Sequence, residues 1–246
     1  MIPKIIHYCW FGGNPLPELE QRCLASWHLH MPDWEYKWWN EETFDIAAAP
    51  LYVRQAYEAR KYAFVSDYVR LWALEKFGGL YMDVDFMVYR PFDAIMDKYP
   101  AFAGYEGSKR NPVMQGVLAS EPHGAWVKDM LETYLDRKYI LPDGKLDMTP
   151  NTSYFTDRLE AQGFIADGKE KDFYLNDGTF MLHVFPVHYF CPVLTTGEDV
   201  RTEETYCEHM GESSWNTNKG WKTKLMHMFS PKWKTRIIKL KRKILG

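Results

Sequence analysis

Between Tyr62 and Val88 the chain reads as a helix, a glycine turn and a strand carrying two carboxylates, and the remaining sequence has to fold around that unit. In YAFVSDYVRLWALEKF, Val65, Val69, Trp72 and Ala73 recur at helical spacing with Leu71, Leu74 and Phe77 beside them, the pattern of a helix apolar on nearly every side and therefore buried. Ser66, Asp67 and Arg70 are its polar residues, and the step of three from Asp67 to Arg70 puts both charges on one side, a turn apart. Gly78 and Gly79 then end the helix, since a left-handed terminal residue carries no side-chain penalty when it is glycine. The strand LYMDVDFMV follows. Its period of two sends Leu80, Met82, Val84, Phe86 and Val88 to one face, and Tyr81, Asp83, Asp85 and Met87 to the other. Neighbouring carboxylates on an apolar strand repel each other and resist desolvation, so a cation placed between them and an anionic ligand accounts for them. A bare Asp-x-Asp on an edge strand would simply be solvated; the nearby Asp67 and Arg70 favour a site.

The run from Ser66 to Phe86, SDYVRLWALEKFGGLYMDVDF, resembles the signature of the DxD-containing glycosyltransferase family 32, the transferases related to the yeast Och1 mannosyltransferase, which include bacterial capsular and lipopolysaccharide sugar transferases. It is similar, more distantly, to the glucosyltransferase domains of large clostridial toxins. The resemblance implies an α/β fold of GT-A type, a single Rossmann-like domain with a mixed central sheet flanked by helices. It is expected over residues 1–230, with 231–246 as a separate tail. Further matches extend it. IPKIIHYCW reads as a first strand ending in FGG, and the family places a residue like Trp10, with Phe11 close by, where the base and ribose of a nucleotide would lie; His7 is expected to be structural. YCEHMGESSW resembles the family's late His…SW element, implying His209 as a metal ligand and Ser214 and Trp215 against the diphosphate. Asn111 and Gln115 lie where similar enzymes contact sugar or acceptor. Thr149-Pro150-Asn151 stands where the family often has Thr-Gly-Pro, a departure that loosens any carry-over there.

With 246 residues, 46% of them hydrophobic, the chain suits one α/β domain with a full core and excludes disorder. The cysteines Cys9, Cys23, Cys191 and Cys207 have no metal-binding spacing and read as free thiols of a reducing compartment. The apolar run at the amino terminus is broken by His7 and falls well short of the roughly 20 residues that span a bilayer. A bacterial cytoplasmic enzyme is therefore expected. Charge is uneven: from Ser213 onward there are ten Lys or Arg and no acid, against 20 basic and 33 acidic residues before it. As a helix, PKWKTRIIKLKRKILG would be cationic and amphipathic, suited to an anionic membrane surface. The acidic body disfavours nucleic acid as a partner.

Elsewhere the pattern predicts helices over Leu19 to His30, Ala47 to Tyr62 and Gly124 to Tyr139, strands over Ala101 to Gly104 and Met114 to Ala119, and a late strand from Phe180. Trp34, Trp38 and Trp39 are assigned to the core, and Asn40 and Glu41 to a helix cap.

The resemblance implies transfer of a hexose from a UDP- or GDP-sugar to a glycan or lipid-linked acceptor of bacterial surface polysaccharide, with retention of configuration. Mn²⁺ (or Mg²⁺) would be held by Asp83, Asp85 and His209. Asp67 would hold donor hydroxyls, while Arg70 orients it and Ser66 lines the same pocket. A metal-dependent nucleotidyltransferase and a non-catalytic carbohydrate-binding protein are the alternatives.

Overall fold

The computed structural model describes residues 1–107 and 112–211. Strand β1 (Ile5–Cys9) is followed by helix α1 (Glu18–His30) and strand β2 (Glu35–Trp39), which returns parallel to β1, Ile5 opposite Glu35 and Cys9 opposite Trp39. Helices α2 (Leu51–Glu58) and α3 (Tyr62–Phe77) lead to β3 (Gly79–Met82), which lies parallel along the other side of β1, Ile6 opposite Leu80. Next come β4 (Phe86–Val88), α4 (Asp93–Lys98), β5 (Ala101–Tyr105) and β6 (Val113–Ser120). Helices α5 (Ala125–Glu132) and α6 (Asn151–Ala161), strands β7 (Lys171–Tyr174) and β8 (Phe180–Phe185), helix α7 (Val187–Phe190) and strand β9 (Cys207–His209) complete the described elements.

The main sheet has the order β2-β1-β3-β6-β5-β8-β7 and is mixed: β6 runs antiparallel to both β3 and β5, and β7 antiparallel to β8. This is the expected α/β architecture, a mixed central sheet with helices on both faces. Each face carries its own core. Val65, Val69, Leu71 and Leu74 of α3 pack on one side with Tyr81, Trp126 and Phe155. Trp27, Leu80, Met82, Phe86, Phe102 and Phe190 fill the other. Burying each such side chain contributes about 1.5–3 kcal/mol.

Where the chain differs from the sequence expectation, local chemistry accounts for it. The strand expected from Leu80 to Val88 is two strands in two sheets, because the backbone turns at Asp83: Phe86 N–H donates to Asp83 O at 3.2 Å, and β4 then pairs antiparallel with β9. Leu80, Met82, Phe86 and Val88 still share one core, so the alternation survives the break. The helix expected over 47–62 is shorter, starting after Pro50 and ending before Arg60, whose φ of 57° interrupts it. The helix expected over 124–139 stops at Glu132. Trp38, assigned to the core, is exposed, whereas Trp34 and Trp39 are buried. Asn40 caps a turn and not a helix, its Oδ1 accepting from the N–H groups of Glu42 and Thr43. Strand β7 escaped the sequence reading because a charged tetrapeptide with one buried residue, Phe173, has no legible period.

Candidate active site

Helix α3 and the end of β3 deliver the charged residues to one place. Gly79, at φ 110°, lets β3 start against β1: a Cβ there would stand 2.6 Å from Ile5 O. Arg70 is buried and its guanidinium is used on every side. Nε donates to Ser66 O at 3.2 Å, Nη1 to Gln115 O, and Nη2 lies 2.9 Å from Asp67 Oδ1 and 3.4 Å from Asp83 Oδ1. Its plane also covers the Tyr81 ring at 4.7 Å, and Tyr81 OH donates to Asp83 Oδ1 at 2.7 Å. Burial works against the guanidinium charge, but Asp83, Tyr81 and Asp67 outweigh it and hold the pKa above its ordinary value. Asp67 is pushed up to about 6, mainly by burial, with Arg70 pulling the other way. The expected joining of Asp67, Arg70 and Asp83 is therefore present as one ion cluster.

Asp85 lies beyond the turn and has a different partner. His209 Nε2 is 3.0 Å from Asp85 Oδ2, and Met210 N–H donates to Asp85 O at 2.9 Å. Burial alone would lower the His209 pKa; Asp85, then Asp83 and Glu106, overcome it and raise it to about 9. Asp85 is the carboxylate in contact with this imidazole, and Asp83 and Glu106 add negative charge from farther away.

That setting attracts a cation, yet among the described residues no three of His, Cys, Asp and Glu are grouped as a ready metal shell. The expected trio is present as the pair Asp85 and His209, with Asp83 engaged by Arg70 and Tyr81. The donor set fits a divalent ion with two protein ligands, the remaining positions falling to ligand oxygens and water, as carboxylate and imidazole donors allow.

Other expected site residues are distributed unequally. Trp10 lines a cleft of about 680 Å³ with Gly12, Gly13, Trp38, Glu41, Tyr57 and Tyr62. This cleft opens at the carboxyl ends of β1 and β2, where open α/β sheets bind ligands. Asp67, Arg70, Asp83 and Asp85 are not among its lining residues. Phe11 is no part of it, being buried in the core edge-on to Phe44. Ser66 Oγ donates to Tyr62 O at 3.2 Å within the helix. Gln115 supplies its carbonyl to Arg70, while its buried side chain accepts from Asn151 Nδ2 at 3.3 Å, facing inward and not into a cleft. Asn111, Ser214, Trp215 and the tail 231–246 lie outside the described residues.

Several residues went unnoticed in the sequence. Tyr81 braces Asp83, although its place on the same strand face was legible. Glu106, at the end of β5, acts on His209 and Asp83, and burial pushes its carboxyl up. Its signal was its position just after an apolar strand. Arg137 and Tyr134, whose electrostatics reach Asp67, lie in the stretch expected to continue helix α5, which instead ends at Glu132. Gly116 admits Asp83: a Cβ there would meet the Phe86 ring at 2.6 Å and Asp83 Oδ2 at 3.0 Å.

Comparison with known proteins bears on the same stretch. Inositol phosphoceramide mannosyltransferase 3 of Schizosaccharomyces pombe is 36% identical over 109 residues, 41% of this chain and 29% of that protein. Mannosyl phosphorylinositol ceramide synthase CSH1 of Saccharomyces cerevisiae is 32% identical over 136 residues, 50% of this chain and 32% of that one. The chain thus spans about a third or less of the length of these relatives. The solved structure of PaToxG glycosyltransferase superposes with a TM-score of 0.47 at 17% identity, covering 66% of this chain and 70% of that one. From α1 to the start of β5, residues 17–102 match the family described as the glycosyltransferase sugar-binding region containing the DXD motif, as the resemblance drawn from Ser66 to Phe86 implies.

Proposed function

We propose that the chain is a metal-dependent glycosyltransferase that moves a hexose from a nucleotide-diphosphate sugar to a glycan or lipid-linked acceptor with retention of configuration. The observation that carries this reading is the bridging of Asp67 and Asp83 by a buried Arg70, one strand turn away from the Asp85 and His209 pair. In the transfer, the bond between the anomeric carbon and the diphosphate oxygen breaks, with its electron pair going to the diphosphate. The acceptor oxygen forms the new bond, and its proton passes to the departing diphosphate. A divalent ion held by Asp85 and His209 would neutralise the charge that gathers on the leaving group, a contribution of several kcal/mol. Asp67 accepts from donor-sugar hydroxyls, and Arg70 fixes its orientation with a planar, permanently charged fork. Asp83 is held by Arg70 and Tyr81 at the mouth of the same site.

The relatives named as mannosyltransferases support mannose as the hexose. A lipid-linked acceptor is supported by the exposed apolar side chains of Leu135, Ile140, Leu141, Leu146 and Met148. They stand on the segment that carries Arg137, whose guanidinium pairs with Asp147 at 2.8 Å and covers the Tyr52 ring.

The test is hydrolysis of a nucleotide-sugar panel with Mn²⁺. Release of free sugar is the expected result, lost in Asp85→Asn and on chelation while the circular dichroism spectrum stays native. Release of sugar 1-phosphate and nucleoside monophosphate instead, or near-normal turnover by Asp85→Asn, would overturn the reading.

A further inference from the structure

The connection between α5 and α6 contains a hairpin that turns apolar side chains outward. Ile140 and Leu146 pair across it in an antiparallel bridge, Leu141 N–H donates to Lys145 O at 2.8 Å, and Gly144 N–H closes the turn on Leu141 O at 2.9 Å. Residues directly opposite each other in an antiparallel pair project to one face. Ile140, Leu141, Leu146 and Met148 are all exposed, as is Leu135 just before them. Single apolar side chains on a surface need no cause, but a group of them on one short hairpin marks a surface that something covers. The root of the hairpin is fixed to the body. Tyr139 is buried against Tyr52 and Phe64, and Gln55 Oε1 accepts from the N–H groups of Tyr139 and Ile140 at 3.0 and 3.1 Å.

Backbone, charge and position decide the occupant. Besides the bonds above, Asp147 N–H donates to Tyr139 O at 2.7 Å and Lys145 N–H to Asp143 Oδ1 at 3.0 Å, while Pro142 has no N–H to satisfy. The hairpin can leave water without stranding those donors, a condition that a lipid phase imposes. Its two acids are each paired, Asp143 with Lys145 at 2.8 Å and Asp147 with Arg137 at 2.8 Å, so neither carboxylate stands alone before phosphate headgroups. From Ser213 onward the sequence adds ten Lys or Arg and no acid, a charge suited to an anionic surface. The hairpin is also joined to the charged site: Tyr134 OH donates to Asn151 Oδ1 at 3.4 Å, Asn151 Nδ2 to Gln115 Oε1 at 3.3 Å, and Gln115 O accepts from Arg70. Resting on the lipid-linked acceptor read above, we propose that this hairpin seats the protein on an anionic lipid bilayer. Ile140, Leu141, Leu146 and Met148 enter the interface, and the headgroup that accepts the sugar is met from that side.

The experiment puts an environment-sensitive fluorophore on the hairpin of the full chain through Leu141→Cys; the four native cysteines are buried, which directs the label. With vesicles of phosphatidylcholine and phosphatidylglycerol, the emission is expected to shift to the blue and to be quenched by a nitroxide-bearing lipid. Both signals should persist at high salt, which screens charge and leaves apolar burial in place. Co-sedimentation of the unlabelled chain with the same vesicles should weaken at least about tenfold in the double variant Ile140→Gln, Leu146→Gln, with a native circular dichroism spectrum. Vesicle binding that leaves the label unshifted, or that the double variant does not weaken, would overturn the proposal. So would self-association that the double variant abolishes while vesicles stay unbound, the mark of a second copy covering this face. If donor sugar is released while vesicles stay unbound, the transferase reading stands without the hairpin's role; vesicle binding through the hairpin with no donor turnover overturns the transferase reading and leaves the hairpin's role.

Discussion

Arg70 makes more of this site than any other side chain, and its environment sets what its loss would do. It neutralises Asp67 and Asp83 while almost wholly removed from water, its side chain 6% exposed. Arg70→Ala leaves both carboxylates without that partner, and breaking a buried pair in this way costs about 3–5 kcal/mol. Urea denaturation should show that loss together with abolished transfer; Arg70→Lys should recover part of the stability and little of the activity, since one ammonium cannot reproduce the fork. His7 gives a pH signature of its own. Gly78 O can only accept and Trp39 Nε1–H can only donate, so His7 is a neutral imidazole protonated on Nε2, bonded to them at 2.7 and 3.2 Å. Burial lowers its pKa from 6.5 to about 4. The unfolded chain therefore binds a proton that the folded chain refuses between those values. The stability it supports is complete above pH 6.5 and declines as the pH falls toward 4, by up to about 3 kcal/mol. Denaturant midpoints across that range should fall more steeply for the native protein than for a His7→Gln variant; equal slopes would remove His7 as the cause.

At the scale of elements, the turn between β3 and β4 is what separates the two aspartates by role. Asp83 N–H still donates to Gly116 O at 2.9 Å, extending the β3–β6 ladder, and the chain then turns so that Asp85 faces β9. Gly116 makes room for both Asp83 and Phe86, so Gly116→Ala overpacks the junction at a cost of about 1–3 kcal/mol. Donor hydrolysis should fall much further than that stability loss implies, because Asp83 is pushed off Arg70; a variant with native turnover would show that the close approach is incidental. Helix α3, its glycine stop and the apolar face of Leu80, Met82, Phe86 and Val88 were legible because their periods are local. The turn at Asp83 was not. An alternating run reads the same whether it forms one strand or two, and only pairing with β6 and then β9 decides where it breaks.

Across the whole molecule, the site depends on a residue brought from far along the chain. His209 meets Asp85 because β9 pairs with β4, His209 opposite Phe86 and Cys207 opposite Val88. Glu208, on the same short strand, is buried against Tyr89 OH and 3.0 Å from Arg201 Nη2. Glu208→Ala should loosen β9, with a stability loss of about 1.5–3 kcal/mol, and raise the Mn²⁺ concentration needed for half-maximal activity while leaving the saturated rate near native. An unchanged Mn²⁺ requirement would show that β9 does not position His209. By itself the sequence determined the buried helix, the glycine stop, the pairing of Asp67 with Arg70 and the alternation through the DxD segment, since each follows from spacing within a few residues. Only the tertiary structure decided that Asp83 faces Arg70 while Asp85 faces His209, that Glu106 joins them, and that Trp38 and Glu41 line a cleft while Phe11 does not. Those outcomes depend on which distant strands pair and which face each covers, a competition among long-range contacts that no local period records.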